Sequence, residues 1–138
     1  VVIPKGVSEV KGFAFCSSLR SVKLQGGVTR ISDYAFRFCD KLCRINFPEG
    51  LREIGARAFY PSRLSSVVFP TSLEEIGSEA FYHNKALGRI TFNSVVKIDQ
   101  AAFACTPGLK IILKPKEMNI DEDVFEQDTA LDKYGFWD

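Results

Sequence analysis

The chain has 138 residues, of which 46% are hydrophobic and 25% charged, and its net charge is +1. These values fit one domain with a sizeable apolar core. The longest aliphatic run, Ile111 to Leu113, is far too short to cross a bilayer, and no signal-peptide pattern is present. We therefore expect no membrane insertion.

The chain opens in the middle of a repeated unit. Val1, Ile3 and Pro4 match the later residues Ile45, Phe47 and Pro48, and the first residue is not Met. This beginning predicts that the sequence is a piece of a longer protein. A first rung that starts in this way also exposes a strand edge and apolar side chains, and it predicts self-association through the N-terminal rung.

An apolar pattern then recurs at a period of 22 to 23 residues. Its leading aliphatic position is held by Val22, Ile45, Val67, Ile90 and Ile112, and the same phase is kept by Ala-Phe at 35–36, 58–59, 80–81 and 102–103 and by Val-Phe at 124–125. A unit this short cannot bury its own apolar face, so the pattern predicts a stacked solenoid. We expect one domain over 1–138 with rungs near 1–21, 22–44, 45–66, 67–89, 90–111 and 112–133, followed by a C-terminal flap or cap at 134–138.

Each rung reads as a strand followed by a short helical segment. Alternation such as Val22-x-Leu24 predicts a strand, and right-handed crossovers between identical strands predict a parallel sheet. Acceptable helix N-caps follow at Ser32, Gly55, Gly77, Asp99 and Asp121, and Ala35, Phe36, Cys39 and Leu42 have helical spacing. The predicted fold is an α/β solenoid with one parallel sheet on the concave side and short α or 3-10 segments on the outer side.

Two places depart from the repeat. The loop between Phe15 and Leu19 is two residues shorter than the loop between Phe36 and Leu42. Near the carboxyl end, Lys114 stands where an apolar residue is expected. Either that strand slips by one position, which buries Ile111 and Leu113, or the rung is degenerate.

The repeated units resemble those of a known family. The segments INFPEGLREIGARAF (45–59) and FPTSLEEIGSEAF (69–81) are similar to BspA-like leucine-rich repeats, which occur in surface proteins of anaerobic gut and oral bacteria and of mucosal protists. The resemblance implies a cell-surface or secreted protein that binds host or matrix proteins.

No pattern in the chain indicates chemistry. The only histidine, His83, lies on a predicted turn without a supporting catalytic group, and Cys39-x3-Cys43 lacks the second pair of a metal site. Cys16 and Cys39 hold one slot in adjacent rungs, where either a disulfide or two buried thiols would fit. We predict no catalytic, cofactor-binding or metal site, and no nucleic-acid partner, because the basic residues near the amino end belong to no known binding motif.

The candidate partner-binding residues are the outward strand positions, which vary from rung to rung: Lys23, Arg44, Asn46, Ser66, Val68, Arg89 and Thr91. Variable positions on a rigid concave sheet are typical of solenoid binding surfaces, and the alternative is a merely solvated face. A second candidate is the outer pair Tyr60 and Tyr82, either a contact surface or packing against the loop. The predicted function is a non-catalytic recognition or adhesion module that binds a protein through the concave sheet, with a structural spacer or a carbohydrate-binding domain as alternatives.

Charge and aromatic residues distinguish the two ends. Residues 1–65 carry a balance of +6 and residues 66–138 one of −5, which indicates either drift among solvated faces or an electrostatic role. After Leu131, the aromatic residues Tyr134, Phe136 and Trp137 form either a cap on the last rung or a frayed tail.

Overall fold

Two short strands and one series of tight turns recur in every full turn of the chain. The computed structural model describes residues 1–115 and 118–125, which wind into a parallel β-solenoid of about five turns. The first strand series comprises β1 (Val2–Ile3), β3 (Ser21–Leu24), β5 (Arg44–Ile45), β7 (Ser66–Val68), β9 (Arg89–Phe92) and β11 (Lys110–Leu113). The second comprises β2 (Glu9–Val10), β4 (Arg30–Ile31), β6 (Glu53–Ile54), β8 (Glu75–Ile76) and β10 (Lys97–Ile98).

The strands form three parallel sheets, so the prediction of one sheet is wrong. β1, β3 and β5 pair with one another, as do β7, β9 and β11, but no ladder joins β5 to β7 within the described residues. The second series makes a continuous five-stranded sheet, here called the second sheet, in the order β2-β4-β6-β8-β10. Its strands are only two residues long, too short for their alternation to stand out in the sequence.

The predicted α or 3-10 segments on the outer side are also wrong, with one exception at the carboxyl end. The Ala-Phe segments are consecutive turns, and the only helix in the described part of the chain is a 3-10 helix, Glu122–Phe125. The cause is a left-handed residue immediately before each Ala-Phe pair: Tyr34, Arg57, Glu79 and Ala101 have φ angles between 53° and 62°. A positive φ interrupts a right-handed helix at that residue.

Four of the expected helix N-caps, Ser32, Gly55, Gly77 and Asp99, begin turns instead, whereas Asp121 directly precedes the 3-10 helix. The carbonyls of Ser32, Gly55, Gly77, Asp99 and Asp121 each accept a hydrogen bond from the N–H three residues later. Glycine is required at two of these positions, because a Cβ on Gly55 would lie 2.4 Å from the backbone nitrogen of Asp33 and a Cβ on Gly77 would lie 2.6 Å from that of Ala56.

Hydrogen-bonded columns of backbone amides hold the turn side together. The N–H of Phe13 donates to the carbonyl of Ala35 in the next rung. The equivalent N–H groups donate to the next rung in the same way at Phe36, Phe59, Phe81 and Phe103. The distances lie between 2.8 and 3.1 Å. Together with the two strand series, these columns give the rungs backbone hydrogen bonds on three sides.

Stacked phenylalanine rings fill the core behind these columns. Phe13, Phe36, Phe59, Phe81 and Phe103 form one stack with ring centroids 5.2 to 5.3 Å apart. Phe47, Phe69 and Phe92 pack against this stack edge to face. Ladder residues between Ile3 and Phe125 are buried together in one cluster.

The structure resolves both departures from the repeat. Phe13, and not Phe15, occupies the phenylalanine stack, so the loop to Leu19 has the ordinary length and the two missing residues lie between Val10 and Phe13. At the other end, Ile111 pairs with Ile90 and is buried, whereas Ile112 pairs with Thr91. The strand therefore slips by one position, as the first alternative predicted, and Ile111 rather than Ile112 continues the aliphatic ladder. Leu113, whose burial was also predicted, is half-buried and packs against the core.

The predicted C-terminal flap or cap, with Tyr134, Phe136 and Trp137, lies outside the described residues. The rung boundaries and the single-domain assignment remain predictions.

Candidate binding surfaces

The outward side of the first strand series, here called the strand face, carries most of the predicted binding residues. Lys23, Arg44, Ser66 and Arg89 are exposed there, and Val68 is 59% exposed. Thr91 is only 9% exposed, because the strand register places it between Val68 and Ile112. Thr91 was predicted to be an outward contact residue, and the structure contradicts the exposure that this role requires.

Asn46 has a structural task on this face. Its Oδ1 accepts a hydrogen bond from the N–H of Leu24 at 2.7 Å, and its Nδ2 donates to the carbonyl of Leu24 at 2.8 Å. The amide thus continues the ladder beyond Ile45, where the paired strand residues end. Both polar atoms of the side chain are engaged within the chain.

A groove of about 530 Å³ opens where the first strand series is divided between β5 and β7. It is lined by Val22, Lys23, Cys43, Arg44, Ile45, Asn46, Ser65 and Ser66, which include four of the predicted binding residues. The division coincides with a rung that has one residue fewer between the stacked phenylalanine and the ladder leucine, Phe59 to Leu64. The groove was not predicted, because the only sign of it in the sequence is the one residue missing between Phe59 and Leu64.

Charge on the strand face has one sign. None of the six strands of the first series contains Asp or Glu, whereas Lys23, Arg44, Arg89 and Lys110 are exposed. None of these four cations takes part in an ion pair within residues 1–115 and 118–125.

Arg30 on the second sheet is paired instead. Arg30 lies 3.1 Å from carboxylate oxygens of both Glu9 and Glu53, which occupy the same position in the rungs on either side. The hydrogen bonds that its guanidinium donates to Glu53 and Glu9 raise the pKa of Arg30. On the turn side, Arg57 pairs with Glu79 at 2.9 Å.

The predicted tyrosine pair belongs to a longer surface, here called the aromatic strip: Phe15, Phe38, Tyr60, Tyr82 and His83. Neighbouring rings in it have centroids 4.6 to 6.0 Å apart. Phe15 is 64% exposed and Phe38 is also exposed. Sequence reasoning missed these two because Phe15 was placed in the core stack, although their spacing of 23 residues is a readable signal.

Arg37 and Tyr82 are held within the turn side. The guanidinium of Arg37 lies 5.2 to 5.9 Å from the ring centroids of Phe15, Tyr34 and Phe38, within reach of cation–π attraction. Burial is the main cause that raises the pKa of Tyr82, and the nearby Cys105 raises it further. A groove of about 350 Å³ lies beside the strip, lined by Phe38, Tyr60, Pro61, His83 and Lys85.

The cysteines are thiols in this structure. Cys39 is buried, and its Sγ–H donates to the carbonyl of Phe13 at 2.9 Å. Burial raises the pKa of the Cys39 thiol, so Cys39 matches the buried-thiol alternative, whereas Cys16 is only half-buried. Within the described residues, no three His, Cys, Asp or Glu side chains come together as metal ligands. No helix in that same part of the chain is long and apolar enough to span a bilayer.

Solved structures of bacterial leucine-rich repeat proteins are similar to this chain. The T. pallidum leucine-rich repeat protein TpLRR is 32% identical, with a TM-score of 0.70 over 80% of this chain and 56% of its own. A leucine-rich repeat protein from Bacteroides ovatus is 29% identical, with a TM-score of 0.67 over 86% of this chain and 34% of its own. A leucine rich cell surface protein from Faecalibacterium prausnitzii, 19% identical with a TM-score of 0.57 over 86% of this chain and 48% of its own, shares the fold.

The chain therefore spans between about a third and just over half of the length of these three proteins. A search of curated proteins found no match. The family model described as BspA type leucine rich repeat region matches residues 7–132 in six copies. With this match over most of its length, and with a parallel solenoid built from the same repeats, the chain belongs to the BspA-type leucine-rich repeat family.

Proposed function

We propose that this chain is a non-catalytic protein-recognition or adhesion module that binds a protein partner through the strand face. Proteins of this repeat family are generally interaction or surface modules. The observation that carries the proposal is the contrast in ion pairing between the two faces. The exposed cations Lys23, Arg44, Arg89 and Lys110 have no ion-pair partner among the described residues, whereas Arg30 on the second sheet has three.

The rigid backbone behind these residues supports the same conclusion. Backbone hydrogen bonds on three sides fix each rung against its neighbours, so side chains on the strand face are presented without a large ordering cost on binding. A cell-surface or secreted location of the parent protein is part of this proposal, since the family is associated with surface proteins.

A purely structural spacer would need no special residues on the strand face. A spacer predicts featureless outward positions, whereas here they combine unpaired cations with an exposed valine and a groove. This difference favours recognition over spacing.

Carbohydrate binding finds less support in the aromatic strip. Sugar rings stack on open aromatic faces, but Phe15 and Phe38 stack on each other with an interplanar angle of 13° and centroids 5.3 Å apart. Tyr60 and His83 are also stacked, at 19°. Ring edges, more than ring faces, are therefore presented along the strip.

The proposal is tested by binding to a panel of purified extracellular matrix proteins, measured by biolayer interferometry. We expect at least one binder, and we expect its affinity to fall at least tenfold in the double variant Arg44→Glu/Arg89→Glu. The matched control is Arg52→Glu/Lys97→Glu, which makes the same change in charge outside the strand face. Absence of any binder, or equal losses in both variants, would contradict the proposal.

Self-association through the N-terminal rung is a separate part of the proposed partner set. β1 pairs only with β3 among the described strands, and Val1 and Val2 are exposed beside it. Light scattering should show a mass that rises with concentration and a smaller rise for Val2→Lys. A constant monomer mass would remove this part alone.

A further inference from the structure

Outward side chains on the strand face form two rows that run along the solenoid axis. The first, the cation row, contains Ser21, Arg44, Ser66, Arg89 and Lys110, where strand pairing places Ser21 beside Arg44 and Arg89 between Ser66 and Lys110. The second, the mixed row, contains Val2, Lys23, Asn46, Val68, Thr91 and Ile112, in which Val2 pairs with Lys23 and Thr91 lies between Val68 and Ile112. Successive rungs of a parallel sheet lie about 4.8 Å apart.

The cation row is suited to carboxylates. Arg44 and Arg89 are exposed and lack ion pairs in the described part of the chain, so their guanidinium groups are open to bidentate hydrogen bonds. Glu9 and Glu53 on the second sheet already pair with Arg30, and no strand of the first series contributes a carboxylate. A ligand for the strand face must therefore bring its own negative charge.

The mixed row adds a second requirement. Val68 is 59% exposed and lies beside Thr91 and Ile112, so an apolar stripe runs next to Arg89 and Lys110. A sulfated polysaccharide offers anions without apolar side chains, and a single-stranded nucleic acid binds by stacking on aromatic rings. No aromatic residue stands at an outward position of the first strand series, since Phe92 is buried.

We propose that the strand face binds an extended acidic protein segment whose carboxylates meet the cation row and whose apolar side chains meet Val68 and Ile112. This inference rests on the proposed function and names the chemistry of its partner. The groove at the division between β5 and β7 accommodates one acidic side chain between Lys23 and Arg44, beside the hydroxyls of Ser65 and Ser66. Asn46 contributes shape rather than hydrogen bonds, because Leu24 occupies both its polar atoms.

The test is selection of random 12-residue peptides displayed on phage, carried out with the chain described here. We expect the enriched peptides to combine Asp or Glu with Val, Ile, Leu or Tyr, and their binding to fall at least tenfold in Arg44→Gln/Arg89→Gln. The control Arg52→Gln/Lys97→Gln removes two positive charges elsewhere and should change the affinity less than twofold. Binding should also weaken at least fivefold between 50 and 300 mM NaCl, because screening shortens the reach of exposed charges.

Two outcomes of the peptide selection separate this inference from the proposed function. Peptides that are neutral or basic, yet lose binding in the strand-face variant, would overturn the acidic partner and leave protein recognition standing. A failure to enrich any peptide that depends on the strand face would count against both. A separate measurement uses heparin as the ligand. Tighter binding of heparin than of every selected peptide would assign the cation row to a sulfated polysaccharide and overturn the inference. Variants are checked by circular dichroism, and Val68→Asn provides a change that leaves the net charge intact and should still reduce peptide binding.

Discussion

The second sheet runs unbroken from β2 to β10, whereas the first strand series is divided between β5 and β7. On the second sheet, Arg30 bridges carboxylates in the rungs before and after it. On the strand face, Arg44 and Arg89 have no such partners among the described residues. Arg30 and its carboxylates therefore bond rungs to one another, whereas these two strand-face arginines contribute no ion pair between rungs in the described part of the chain.

The largest expected effect tests the core that both faces share. Phe59 is fully buried and stacks between Phe36 and Phe81, so Phe59→Ala should lower the free energy of unfolding by about 3–5 kcal/mol. Lys23→Ala on the strand face should change it by less than about 0.5 kcal/mol. Urea denaturation measures both values, and equal losses would contradict the assigned register.

A smaller loss is expected at the end of the paired part of β5. Asn46→Ala removes two hydrogen bonds to Leu24 and should cost about 1–2 kcal/mol, because the backbone groups of Leu24 lose their partners. Asn119→Ala, an exposed asparagine elsewhere, is the matched control and should cost less than about 0.5 kcal/mol. Similar denaturation midpoints for the two variants would argue against a structural task for Asn46.

The contrast between the faces is tested by two arginine substitutions. Arg30→Gln should cost about 0.5–1 kcal/mol at low salt, since it breaks three partly exposed ion pairs, and the cost should shrink in 1 M NaCl. Arg44→Gln should be within about 0.5 kcal/mol of neutral under both conditions. A salt-dependent loss at Arg44 as large as that at Arg30 would show that the strand-face cation is also paired.

The smallest effect concerns a loop that connects the two faces. The hydroxyl of Thr71 donates to Glu49 at 2.6 Å and the Thr71 N–H donates at 3.1 Å, and together they lower the pKa of this carboxyl from its ordinary value of 4.5. Because the folded-state pKa is the lower one, the associated stability is present above pH 4.5 and is lost as pH falls through the folded-state pKa. Carbon-13 NMR titration should place the Glu49 pKa below 4.5, and Thr71→Val should move it upward. An unchanged pKa in that variant would contradict the assigned cause.

The repeat made the ladders, the stacking and the family predictable, because core positions recur at a fixed spacing and have one physical reason to stay apolar. The turns were harder. Ala35 and Phe36 have helical spacing, but Tyr34 before them adopts a left-handed conformation. A tyrosine has no intrinsic preference for this conformation, and hydrogen bonds between rungs stabilise it. Two-residue strands such as β6 are likewise set by pairing with neighbours rather than by local preference.

The candidate site was predictable only in part. Alternation along the strands identified outward positions such as Lys23, Arg44 and Ser66, which the structure brings to one groove. It did not reveal that Asn46 is bonded to the chain, that Thr91 is covered, or that the sheet divides beside Arg44. These features depend on what lies in the adjacent rung, and a single-rung pattern contains no information on that contact.

The columns of turn-side amides have an electrostatic consequence for the molecule as a whole. From Phe13 to Phe103, each N–H in the central column points toward the carboxyl end and each carbonyl toward the amino end. The turns at the end of the second sheet carry the opposite arrangement: the N–H groups of Gly55, Gly77 and Asp99 donate to carbonyls of the preceding rung and so point toward the amino end. The peptide dipoles of the two columns therefore oppose each other, and the solenoid does not add them into one macrodipole as an α-helix does.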